Sequence, residues 1–276
     1  MEFSDPSVGM LLTRLGDGRV RALAGLLGSY VFGSVITGDF DSGISDVDTV
    51  AVLSSDPSEA ELATLERLHH DIAGEMPEWE DRVEAVYLSS RALVTFRTEF
   101  SPAARISPGE PFHSIEVDHS WLIDWYQLRE VGLALRGPHA TSLVPVISRD
   151  EYVEAVRQHM LTWRNSGDGL LAKGDQAYAV LTMCRGLRTW RTGEHVSKRE
   201  AARWACGAMP EHADLIREAL VSRAQSRNGA RIDGTATLGC DEEIRGRCAA
   251  PGQIARRDVG ATSVPCSSDL CRWSRS

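Results

Sequence analysis

Asp46 and Asp48 lie two residues apart in Ser45-Asp46-Val47-Asp48, at the mouth of an apolar run, and Gly33-Ser34 precedes them. In an extended strand, residues i and i+2 project to the same side. Two carboxylates so placed repel and raise one another's pKa, and a divalent cation relieves the repulsion. Mg²⁺ takes oxygen ligands and shares its shell with water and substrate phosphates. A Gly-Ser turn brings backbone N–H groups and a hydroxyl close to a phosphate. A third acid, Glu84, sits in the strand-like segment "DRVEAVYLS". Each feature has a plainer reading on its own, because Asp-x-Asp pairs cap turns at strand starts and a strand glutamate is usually solvated. The ordered set of Gly-Ser, Asp-x-Asp, helix and acid-bearing strand points instead to Mg²⁺-dependent phosphoryl or nucleotidyl transfer.

The elements that must hold these residues follow from pattern. Apolar residues from Pro6 to Leu27 recur at helical spacing, with Gly16-Asp17-Gly18 as an expected break. "SYVFGSV" and "DVDTVAVL" read as buried strands, separated by the turn-forming "GDFDSGIS". "SEAELATLERLHHDIAGEM" is an amphipathic helix whose Ser58 and Glu61 form a capping box. "SPAARISPGEPFHSIEVD" has little periodicity and reads as a long loop or a small β excursion. A helix ending at Gly132 and a short strand follow. Helices are then expected at 149–164, 176–191, 198–206 and 212–221, with Gly193 as a C-terminal cap and Ser197 as an N-cap. The fold class is α+β, a mixed sheet with flanking helices followed by an all-α bundle, with the boundary near Pro138–Ser148.

Composition narrows the class. The chain has 276 residues, a hydrophobic share of 42% and a net charge of −9, enough for one large or two modest domains. The acidic balance argues against a nucleic-acid binder and suits a cationic partner. No signal peptide and no run of roughly 18 apolar residues is visible, so a cytoplasmic location without membrane attachment is expected. Cys184 and Cys206 fall in helical patterns and read as reduced thiols. After Ser222 the sequence becomes rich in Arg, Gly, Ser and Cys with no usable period, and a disordered tail is expected. Its Cys266-x4-Cys271 pair lacks a nearby histidine and fits no common zinc module. A shifted reading frame would give this composition.

Taken together, Gly33-Ser34 and Ser45-Asp46-Val47-Asp48 resemble the signature of the polymerase-β-like nucleotidyltransferase superfamily. Tyr178–Leu220 resembles the C-terminal helical domain of the aminoglycoside adenylyltransferases that modify streptomycin and spectinomycin, through Leu181, Thr182, Arg185, Thr192, Gly193, Lys198, Ala201, Trp204 and Ala205. That resemblance implies a nucleotidyltransferase domain over 1–143, a helical domain over 148–222 and an atypical tail over 223–276. It implies Asp46, Asp48 and Glu84 as Mg²⁺ ligands, with Glu84 also the general base. Gly33, Ser34, Ser45, Arg185 and Lys198 would contact the triphosphate of ATP. Trp163, Asp168 and Asp175 would meet a cationic aminoglycoside or aminocyclitol in the interdomain cleft, and the protein would act as a monomer. The implied reaction is transfer of AMP to a drug hydroxyl with release of pyrophosphate. A different small-molecule or protein acceptor, or an impaired nucleotide-binding module, are the alternatives. The family's further C-terminal helical sequence is replaced here by the tail.

Overall fold

The computed structural model describes residues 3–163 and 173–225. Helix α1 (Pro6–Ala22) is opened by Asp5, whose carboxylate accepts from the Ser7 N–H, with Pro6 at its first position. It runs unbroken through the expected interruption at 16–18. Gly18 is there for proximity rather than for a turn, because a Cβ at this position would come within 2.3 Å of Leu68 Cδ1. Strand β1 (Leu26–Val31) leads through Gly33 into a one-turn helix α2 (Ser34–Thr37), and strand β2 (Val47–Leu53) follows. Helix α3 (Glu59–Glu75) carries the Ser58/Glu61 capping box in full. Strand β3 (Val83–Ser89), the short helix α4 (Ser90–Thr95), strands β4 (Ser101–Ser107) and β5 (Glu110–Val117), helix α5 (Leu122–Val131) and strand β6 (Leu133–Arg136) complete the first half. The aperiodic stretch near residues 101–118 is thus a hairpin at the sheet edge. Its outer strand alternates between partly buried and exposed residues, which is why no strong period marks it.

The sheet has six strands in the order β5-β4-β3-β2-β1-β6. Only the β2–β3 pair is parallel, joined by the crossover helix α3. One face packs Val47, Ala51, Leu53, Ala85 and Tyr87 against Leu11 and Leu15 of α1 and Leu65 of α3. The other packs Val50, Val52, Val86 and Leu88 under Trp121, Trp125 and Leu128. Each fully buried Leu or Val contributes about 1.5–3 kcal/mol, so both faces of the central strands are anchored.

The second half is helical: α6 (Arg149–Trp163), α7 (Lys173–Thr192), α8 (Lys198–Ala208) and α9 (Ala213–Gln225). Ser197 caps α8 through the Glu200 N–H, and Gly193 ends α7 at φ +67°. α9 runs to Gln225, past the expected end at Val221. Cys184 is buried and Cys206 half-buried. None of the described helices is long and apolar enough to cross a membrane.

Candidate active site

The site begins where β2 and β3 begin. Their parallel register sets Asp48 directly beside Glu84, and Asp46 precedes β2 on the same side. One ligand atom from each of the three carboxylates lies within 4.8 Å of the others. Asp46 and Asp48 are buried. Gly33 has φ +67°, and a Cβ there would sit 1.9 Å from Asp48 Oδ2; only glycine lets the Gly-Ser turn close over this aspartate. Arg82 fixes the approach to β2 by donating from Nε (3.0 Å) and Nη2 (2.5 Å) to the Ser45 carbonyl.

Burial raises Asp46 to about 7, the Glu84 charge adds to the rise, and Lys198 opposes it. Asp48 is raised well above the ordinary carboxylate value by burial, then by Asp46 and Glu84. Glu84 is also raised by burial, while Arg105 pulls it down. Such a cluster is unfavourable without a cation. Among the described residues Asp46 Oδ2 is buried with no hydrogen-bond partner. An all-oxygen donor set with an unpartnered oxygen fits Mg²⁺.

Asp48 and Glu84, with Asp46 beside them, line a cleft between the sheet and the helical half. Its walls include Gly33, Ser34, Asp48, Glu84, Arg185 and Lys198. Ser34 Oγ is buried and has no hydrogen-bond partner among the described residues. Lys198 is buried, with its ammonium 3.7 Å from the centre of the Tyr178 ring. Burial and the charges of Arg185 and Arg223 push Lys198 well below the ordinary lysine value, while Asp46 and Asp48 pull it back up. Ser45 behaves differently from Ser34: its hydroxyl accepts from the Asp41 N–H at 2.9 Å and so shapes its own loop. Asp168 and the side chains of Trp163 and Asp175 lie outside the described residues.

Sequence reasoning did not single out three other groups. Arg105 on β4, itself buried, donates to Glu84 Oε1 at 2.9 Å and to Ser107 Oγ. Its cross-strand partner is Val86, so it shares a face with Glu84 but comes from the segment with the weakest pattern. Trp121, Asp124 and Trp125 wall the cleft from the start of α5, with the two indoles stacked at 5.4 Å. The signal was an aspartate inside an aromatic stripe at helical spacing. Arg223 and Asp39 also line the cleft.

Comparison with known proteins places this geometry. Residues 18–102 match the nucleotidyltransferase domain model and residues 142–236 match the aminoglycoside adenylyltransferase C-terminal domain model. The chain belongs to the aminoglycoside adenylyltransferase family. Among this enzyme's relatives is a spectinomycin 9-adenylyltransferase of Staphylococcus aureus, 26% identical over 204 residues, covering 69% of this chain and 75% of the relative. A spectinomycin 9-adenylyltransferase of Campylobacter jejuni is 25% identical over 198 residues, covering 67% and 73%. An aminoglycoside (3'') (9) adenylyltransferase of Escherichia coli is 27% identical over 124 residues, covering 44% and 45%. The crystal structure of a spectinomycin adenyltransferase from Enterococcus faecialis with ATP and spectinomycin superposes with a TM-score of 0.67 at 17% identity, over 86% of this chain and 97% of that one. At that identity the likeness is one of fold, and it extends over both halves of this adenylyltransferase.

Proposed function

We propose that the enzyme transfers AMP from ATP to a hydroxyl of an aminocyclitol or aminoglycoside antibiotic, with spectinomycin the first candidate and streptomycin the second. The observation that carries this reading is the three-carboxylate cluster whose Asp48 and Glu84 share one cleft with Arg185 and Lys198 of the helical half. The choice of acceptor follows the relatives named for spectinomycin.

Asp46, Asp48 and Glu84 would hold Mg²⁺, which when bound supplies charge neutralisation at the phosphates and polarises the phosphoryl oxygens. Gly33 and Ser34 offer a backbone N–H and a hydroxyl to the triphosphate, and Arg185 and Lys198 offer charge from the opposite wall. Ser45 supports this turn from within its loop. Arg105 holds one oxygen of Glu84, which leaves the other to accept the proton of the acceptor hydroxyl. The hydroxyl oxygen then forms its bond to the α-phosphorus. The bond from that phosphorus to the bridging oxygen breaks, and pyrophosphate leaves with the electron pair. The protein's share is positioning and charge placement. Asp124 with Trp121 and Trp125 forms one wall suited to a cationic sugar, and Trp163, Asp168 and Asp175 are the further contacts proposed for the drug. The residue ranges 1–143 and 148–222 are the proposed nucleotide-binding and clamping units.

The test is mass spectrometry of spectinomycin and of streptomycin after incubation with enzyme, ATP and Mg²⁺. A drug that gains one adenylyl group supports the reading and identifies the acceptor. ATP consumed with both drugs unmodified would transfer the reaction to another acceptor.

A further inference from the structure

The Gly-Ser turn is followed by a loop that carries two acids, Asp39 and Asp41, and both engage arginines of the helical half. Arg199 on α8 donates from its backbone N–H to Asp39 Oδ2 at 3.3 Å. Its side chain pairs with Asp39 Oδ1 at 3.1 Å and Asp41 Oδ1 at 2.5 Å. Arg223 on α9 is held more loosely. Its Nη1 is 3.5 Å from Asp39 Oδ2, its Nε 3.3 Å from Asp41 Oδ2, and its Nη2 donates to the Asp39 carbonyl at 3.1 Å. Charge-assisted contacts of a well-seated guanidinium run nearer 2.7–2.9 Å, so the fork of Arg223 is not saturated by these acids.

Arg223 also faces the cleft, together with Ser34, Arg185, Lys198 and Asp39, whereas Arg199 and Asp41 do not line it. Its side chain is 17% exposed, so it is partly shielded from bulk water. A triphosphate in this cleft needs charge that stays in place. Beside the single ammonium of Lys198, a guanidinium offers phosphate two N–H groups at once.

We propose that Arg223 is a third cation for the triphosphate, parked on the loop by Asp39 and Asp41 and drawn onto the phosphates when nucleotide enters, while Arg199 keeps the loop docked. This rests on the reading of the cleft as the ATP site. Nucleotide phosphate and Asp39 then compete for one guanidinium, which ties occupancy of the phosphate site to the contact between the loop and α9. The two acids therefore oppose nucleotide binding, and Arg223 favours it.

That difference in sign is the test. Equilibrium dialysis with Mg²⁺ and either a non-hydrolysable ATP analogue or AMP is run on the full chain and on Arg223→Gln, Arg223→Lys and Asp39→Asn. Arg223→Gln should weaken the ATP analogue by about tenfold and leave AMP, which lacks the outer phosphates, at the wild-type level. Arg223→Lys should recover part of the loss, and Asp39→Asn should bind the ATP analogue at least as tightly as wild type. If Arg223→Gln and Asp39→Asn weaken the analogue alike, or if the analogue and AMP weaken together, the network is only a tie between the halves and the proposal fails. Wild-type affinity in Arg223→Gln also overturns it. Should Arg223→Gln fail to fold, the ratio of analogue to AMP binding in Arg223→Lys decides. A folded wild-type protein that binds no ATP analogue removes the ATP site itself, a failure distinguishable from loss of Arg223 alone.

Discussion

Asp48 stands among two other acids in a buried position, so replacing it should separate stability from activity. An unfolded aspartate ionises near 3.8, whereas Asp46 in the native cluster is raised to about 7. Between those values the native state holds a proton that the unfolded state has released. Stability therefore falls as pH rises through that window, by up to about 1.4 kcal/mol per pH unit for one group. Asp48→Asn removes a like charge: in EDTA at pH 8 its Tm should exceed that of wild type by a few degrees, with little difference at pH 4, while turnover falls by at least about a hundredfold. Thermal melts at the two pH values beside a turnover assay check this, and a lower Tm for the variant at pH 8 would contradict it. Arg105→Gln should lower kcat about ten- to a hundredfold with KM for ATP little changed, because Glu84 loses the partner that orients it and opposes the rise of its pKa; steady-state kinetics read the split. At this scale Asp46, Asp48 and Glu84 were legible because their spacing in sequence becomes proximity through strand register alone. Arg105, Asp124 and Arg223 were not, since Arg105 reaches Glu84 and the other two reach the cleft only through tertiary packing.

Gly33 shows how much one short turn carries. Its positive φ and the 1.9 Å approach of a would-be Cβ to Asp48 Oδ2 mean that Gly33→Ala must displace either the turn or the aspartate. The expected cost is about 1–3 kcal/mol, with activity falling alongside Tm; urea unfolding and turnover of the same preparation test it, and an unchanged pair would show that the turn is not closed on Asp48. Among the elements, the strongly periodic ones were readable. α3 announced itself by its capping box and α8 by Ser197. Two stretches were harder to read, for physical reasons. Glycine at 16 and 18 suggests a break, but the close approach of Leu68 to Gly18 turns that small residue into a packing site inside a continuous α1. The β4–β5 hairpin is the β excursion left open against a long loop, and its pattern is weak because β5 is an edge strand, half exposed along its length.

Across the whole molecule, two opposed titrations shape stability. Burial, and for each a nearby arginine, push His69 and His195 to about 3 and His159 to about 4. Unfolded histidine takes up a proton near 6.5, so these groups remove stability as pH falls from about 6.5 towards their native values. The carboxylate cluster removes it as pH rises. The metal-free protein should therefore be most stable in mildly acidic solution, and Mg²⁺ should move that optimum upward by stabilising the ionised cluster; melts across pH with and without Mg²⁺ would show the displacement, and an unmoved optimum would argue against metal at these acids. The two-part architecture was legible from the change of period near residue 148, but the docking of the parts was not, because the Asp39 and Asp41 contacts to Arg199 and Arg223 join residues far apart in sequence. The carboxylate cluster is proposed to perform AMP transfer to an antibiotic. Pyrophosphate release by purified protein, with ATP and Mg²⁺, measured with and without spectinomycin or streptomycin and beside Asp48→Asn, is the first test of this. Release should depend on one of the drugs and disappear in the variant. Release that ignores both drugs, or that survives Asp48→Asn, would contradict it.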